Sequence, residues 1–115
     1  MPSTTLTLRG LKVRVMTQAT LPYLLRKQGI TLGRTIRLRG HALGITPELL
    51  AHEMEHVLRW HEMGTVRFLL DYIKGVILFG YGLKHPHERA AYDFAVRYAR
   101  TPEFIEACGE LRRVA

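Results

Sequence analysis

Apolar and polar residues alternate at period two along Thr5-Leu6-Thr7-Leu8 and again along Leu11-Lys12-Val13-Arg14-Val15. That is the pattern of strands with one face buried. Ile30-Thr31-Leu32 and Thr35-Ile36-Arg37-Leu38-Arg39 flank Gly33-Arg34 and read as a hairpin. In its second arm Arg37 and Arg39 share one face and Ile36 and Leu38 the other, which suits an edge strand. Between these stretches Leu21 to Gln28, opened by Thr20 and Pro22 and closed by Gly29, predicts two turns of helix. From Thr46 onward the chain reads as helix. Thr46 is a candidate N-cap, Pro47 fills the first helical position and Glu48 lies near the positive end of the helix dipole. This helix is predicted to run to about Met63 and stop at Gly64. A second covers about Thr65 to Phe79 and is broken by Gly80-Tyr81-Gly82. A third opens at Pro86 and ends near Arg100. A fourth, opened by Pro102, runs from Glu103 to about Arg113. Strands first and helices after predict an α+β fold, with a small antiparallel sheet of about three strands followed by about four helices.

Composition narrows the class. At 115 residues with 47% apolar content, residues 1–115 make one domain with one core. The most apolar stretch, Val66 to Leu83, is interrupted by Asp71, Lys74 and glycines. A bilayer span needs about 20 mostly apolar residues, so the stretch predicts a buried core helix and no membrane partner, with a membrane-surface protein anchored by Val66 to Leu83 as the alternative. Leu69, Leu70, Ile73, Val76 and Ile77 are then expected to be covered, by the domain's own core or by a second copy in a homo-oligomer built on helix 65–79. The first residues have neither a basic region nor an apolar run, so no signal peptide is expected. With Cys108 as the single cysteine, this points to the cytoplasm. Cys108 itself reads as a small buried apolar residue. The formal charge of +7 comes with 13 Arg and 4 Lys. These are spread along the chain and form no basic helix face, which predicts a solvated surface and no nucleic-acid partner.

The chemistry lies in His52-Glu53-Met54-Glu55-His56, an H-E-x-x-H pattern inside a predicted helix. Positions four apart on a helix are about 40° apart around its axis, so both imidazoles point the same way and can share one ion. Glu53 lies about 100° on from His52, placed to take a proton from a water that the ion activates. The helix has apolar groups on both sides: Leu49, Trp60 and Met63 fall near His52, and Leu50, Met54 and Val57 opposite. A helix so covered is buried, and a buried pair of histidines needs partners.

A catalytic zinc site takes a third protein ligand and keeps one position open. His61 and Glu62 belong to the same helix and point away from His52. Arg59 stands where the extended motif H-E-x-x-H-x-x-G-x-x-H has glycine. His85 and His87 lie close to the start of the next helix and stay in contention. Glu88 heads a stripe with Ala91, Tyr92, Ala95 and Ala99, whose three alanines would let that helix approach another closely. Tyr92, Tyr81, His85 and His87 are all candidates to stabilise an oxyanion.

His52-Glu53-x-x-His56 followed by a helix carrying Glu88-x-x-Ala91-Tyr92 resembles the gluzincin arrangement. At this length the chain is most similar to the minimal gluzincins, in which a three-stranded sheet precedes the active-site helix. The resemblance covers roughly Ile36 to Tyr98. It implies a zincin-like fold and a zinc metallopeptidase in which His52, His56 and Glu88 bind zinc and Glu53 is the general base. It also implies that Thr35 to Arg39 is the rim strand that pairs with an extended peptide or protein substrate. The alternative is a zinc-containing binding module without hydrolysis, which would have no use for Glu53.

Overall fold

The computed structural model describes residues 2–114. Its first third builds a four-stranded sheet. Strands β1 (Ser3–Leu8) and β2 (Leu11–Met16) form a hairpin in which Leu8 pairs with Leu11. The two loop residues, Arg9 and Gly10, both have positive φ (51° and 77°), the twist that a two-residue hairpin requires. Leu6, Leu8, Val13 and Val15 point into the core, and the threonines and basic residues between them face water. A second hairpin joins β3 (Gly29–Leu32) to β4 (Thr35–Leu38).

The two hairpins meet through β2 and β4, which run parallel, with Val15 opposite Ile36. The strand order is β1-β2-β4-β3. The α+β class predicted from the pattern is therefore present, but the sheet has four strands and is mixed. The parallel pair arises because the segment after β2 carries the chain across before the second hairpin returns. That segment holds α1 (Thr20–Leu24), shorter than the predicted Leu21 to Gln28. Arg26 stops it by adopting φ 56°, and the Lys27 and Arg26 amides close back on the carbonyls of Pro22 and Tyr23, a Schellman ending made without glycine. A further correction concerns the rim. Thr35 to Arg39 is not an edge: β4 lies between β2 and β3, with Ile36 and Leu38 fully buried. The edge strands are β1 and β3, and β3 is the one that borders the cleft.

The helices follow the predicted boundaries closely. The longest, α2 (Pro47–Met63), is capped by the Thr46 hydroxyl, which accepts from the Leu49 amide at 3.2 Å. Leu50, Met54 and Val57 bury its core side. Next comes α3 (Thr65–Phe79), then α4 (Pro86–Tyr98) and α5 (Pro102–Arg113). Along α4, Ala91, Ala95 and Ala99 are buried, and the helix packs lengthwise on α2. Phe104, Ala107, Cys108 and Leu111 of α5 complete the core, and burial pushes the Cys108 thiol's pKa up.

Helix α3 overturns the expectation of a buried core helix. Of its residues only Phe68 and Gly75 are buried. Leu70, Ile73 and Ile77 are 65%, 53% and 77% exposed, Leu69 is exposed as well, and Val76 is half-buried. The sheet with α2, α4 and α5 already encloses the core, so α3 needs only a narrow inner strip to attach. No helix of the described residues is long and apolar enough to cross a membrane.

Candidate metal centre

Three elements converge on one cleft: the edge strand β3, the middle of α2 and the start of α4. The i, i+4 spacing sets His52 and His56 side by side, with ring centroids 5.2 Å apart. His56 is buried and His52 is half-buried. Ligand-capable atoms of His52, Glu53 and His56 all lie within 4.8 Å of one another. Across from them, α4 delivers Glu88. One of its carboxylate oxygens is 3.0 Å from His52 Nε2, and the other is 3.1 Å from His56 Nε2.

That spacing tests whether the donor set fits an ion. Donors about 2.0–2.1 Å from a tetrahedral zinc are about 3.3 Å from each other. Two imidazole nitrogens and a carboxylate are also the donor chemistry that zinc takes in catalytic sites. By donor chemistry and proximity the residues therefore fit, with one Glu88 oxygen beside each imidazole. One feature departs from common practice: His56 Nδ1 is buried without a hydrogen-bond partner among the described residues, whereas ligand histidines usually donate from their second nitrogen.

Electrostatics separates the two carboxylates. Burial disfavours ionised Glu88, yet hydrogen bonds from His52 and His56, the His56 charge and the Tyr72 hydroxyl outweigh it and hold its pKa far below the usual carboxylate range. For His56, burial opposes protonation, but the hydrogen bond to Glu88 and the nearby Glu53 charge prevail and raise its pKa. Glu53 goes the other way. It is 4% exposed, and desolvation raises its pKa despite His56, His52 and a hydrogen bond from Thr31. Neighbouring carboxyl groups pushed apart in this way suit different roles, one anionic and one able to trade a proton.

No protein-family model, curated protein or solved structure matches the chain. What the cleft can do is then decided by its own side chains. The four residues singled out from the pattern, His52, Glu53, His56 and Glu88, are brought together. The rival ligands are not. His61 is exposed, its Nδ1 3.0 Å from an Arg34 guanidinium nitrogen, and Glu62 pairs with Arg59 on the surface. His85 is fully buried but turns its Nε2 to the Tyr72 carbonyl at 2.9 Å. His87 Nε2 meets Asp71 Oδ2 at 2.6 Å. Of the oxyanion candidates, Tyr92 lines the cleft, and Tyr81 lies on its rim beneath the Lys27 ammonium.

Two participants are not evident from the sequence pattern. Tyr72, on the inner strip of α3, donates its hydroxyl to Glu88 Oε1 at 2.8 Å. Burial, then the Glu88 hydrogen bond and charge, push the phenol's pKa well above its ordinary value. One signal does exist: a tyrosine inside an apolar run needs a partner for its hydroxyl. Thr31 of β3 donates to Glu53, 3.1 Å from Oε1 and 3.2 Å from the main-chain oxygen. Gly29 makes that approach possible, since a Cβ there would be 3.1 Å from Glu53 Cγ.

Gly75 holds the other wall. A Cβ on it would lie 2.6 Å from His85 Nε2, and the buried imidazole has no room to retreat. Gly75→Ala is therefore expected to destabilise the protein. Overpacking costs about 1–3 kcal/mol, against about 1 kcal/mol gained from alanine's helix propensity. A net loss of up to about 2 kcal/mol in urea unfolding is expected, and a higher midpoint would show that His85 moves freely.

Proposed function

We propose that the protein is a zinc-dependent metallopeptidase of the gluzincin type. The observation that carries this reading is the bridging of both Nε2 atoms of the H-E-x-x-H pair by the two Glu88 oxygens, with Glu53 buried alongside. His52, His56 and Glu88 would hold the ion. Zinc bound there supplies Lewis-acid polarisation of a carbonyl and an acidified water. Every other task belongs to the chain. The Glu53 carboxylate accepts the proton as water attacks the peptide carbonyl, and passes it to the departing amine. Thr31 steadies one Glu53 oxygen, and Tyr72 fixes the Glu88 carboxylate, so neither group depends on side-chain rotation to find its place.

Substrate alignment falls to β3. It is a terminal strand of the sheet and borders the cleft, so one side of its backbone can pair with an extended peptide. Purified protein is expected to hold about one zinc per chain and to cleave casein or a quenched peptide until a chelator is added. Absence of zinc, or hydrolysis indifferent to the chelator, would overturn the reading. Zinc without hydrolysis would leave the non-catalytic binding module.

A further inference from the structure

The outward face of α3 is the more apolar of its two faces, the reverse of an ordinary surface helix. At 3.6 residues per turn Val66, Leu70, Ile73 and Ile77 fall within about 60° of one another, and Phe68 and Gly75 lie on the opposite side. Those four side chains are 72%, 65%, 53% and 77% exposed. The apolar surface continues past the helix end through Leu78 and Phe79, both at least half exposed. Beyond it, Tyr81 packs under Lys27 of the loop after α1, with the ammonium 4.4 Å from the ring centroid. Exposed Leu24 and Leu25 lie just before that lysine. Isolated apolar side chains on a surface need no explanation, but a continuous face of this kind marks something that covers it.

The charges around it identify the cover. The charged residues between 64 and 85 are Arg67, Asp71, Lys74 and Lys84. Asp71 is tied to buried His87, which leaves three cations. Arg67 and Lys74 lie together along one side of the stripe, about 60–100° from its centre, and Arg26 and Lys27 add two more beside Tyr81. Apolar side chains with cations at the margin match a bilayer surface, where headgroups are anionic and acyl chains lie beneath. They do not match the same face of a second copy. A second copy would bring the same cations and, between residues 64 and 85, no acidic residue other than Asp71, which pairs with His87.

We propose that α3 and the adjoining loop dock the protein on an anionic phospholipid surface, as a peripheral contact and not a span. Leu25 and Leu69 also line the cleft, so docking by this face brings the cleft mouth to the headgroups. The exposure and charge of α3 carry this assignment, which stands or falls separately from the peptidase reading.

Flotation with vesicles of phosphatidylcholine containing about 30% phosphatidylserine tests it. The protein is expected to float with them, to bind vesicles of phosphatidylcholine alone at least about tenfold more weakly, and to be released as salt rises. Ile73→Glu together with Ile77→Glu, both at exposed positions, should keep the fold by circular dichroism and lower vesicle affinity by at least about tenfold. Failure to float on the anionic vesicles would overturn the proposal, as would a folded double variant that floats like the parent. So would a parent dimer in light scattering that the double variant converts to monomer, since a second copy would then cover the face.

Discussion

Replacing Glu53 by Gln is expected to leave zinc bound and to cut kcat/KM for peptide hydrolysis by about 10²–10⁴-fold, the usual contribution of a positioned general base. The amide has nearly the shape of the carboxylate and can still accept the Thr31 hydrogen bond at its carbonyl oxygen. What it loses is the capacity to take up a proton. Burial makes the substitution mild for the fold, since the variant places a neutral group where desolvation already disfavours a charge. The unfolding midpoint should therefore hold or rise while activity collapses. Metal analysis, urea unfolding and a peptide assay on the same preparation separate these effects. Activity like the parent's in the Gln variant would refute Glu53 as the base.

The second large effect concerns the proposed third ligand. Glu88→Ala is expected to weaken zinc binding by at least about tenfold and to remove activity, whereas His61→Ala should do neither. The contrast is needed because loss of an outer hydrogen bond alone can cost about 10–100-fold in affinity. Glu88 contacts both imidazoles and Tyr72, so its removal strips one partner from each. His61 is exposed and its ring is 3.0 Å from Arg34, remote in role from the cleft. Chelator competition on the two variants reads the affinities directly, and equal zinc affinity in Glu88→Ala and the parent would refute the assignment. Tyr72→Phe offers an intermediate case. It keeps the aromatic packing against His85, whose ring centroid is 4.2 Å away, and deletes only the hydroxyl that fixes Glu88.

Much of this site is legible in the amino-acid sequence because its parts are local. Two histidines at i and i+4 meet on any α-helix, whatever surrounds it. Thr46, Pro47 and Gly64 bound that helix by the chemistry of its own ends. The alanine stripe of α4 states that the helix can come close to another, and it lies along α2. Tyr72 and Thr31 are not legible in the same way. Each acts on a carboxylate 16 or 22 residues away in the chain, and nothing in the flanking residues specifies that distance. The approach of Gly75 to His85 is equally silent, since a glycine in an apolar helix reads first as a weak point.

The amino-acid sequence by itself determined the α+β class, the ends of the four long helices and the facing histidines. These follow from period, capping and helical pitch, which act within a few residues. Tertiary structure alone decided that β2 and β4 run parallel and that β3 and not β4 forms the rim of the cleft. Strand alternation fixes which side chains point inward but carries no information about which strand is the neighbour. The same limit applies to α3. Its apolar stripe announces that a face wants cover, but not whether the chain's own core supplies it. Only the packing of the sheet with α2, α4 and α5 shows that the core closes without Leu70, Ile73 and Ile77, leaving them in water.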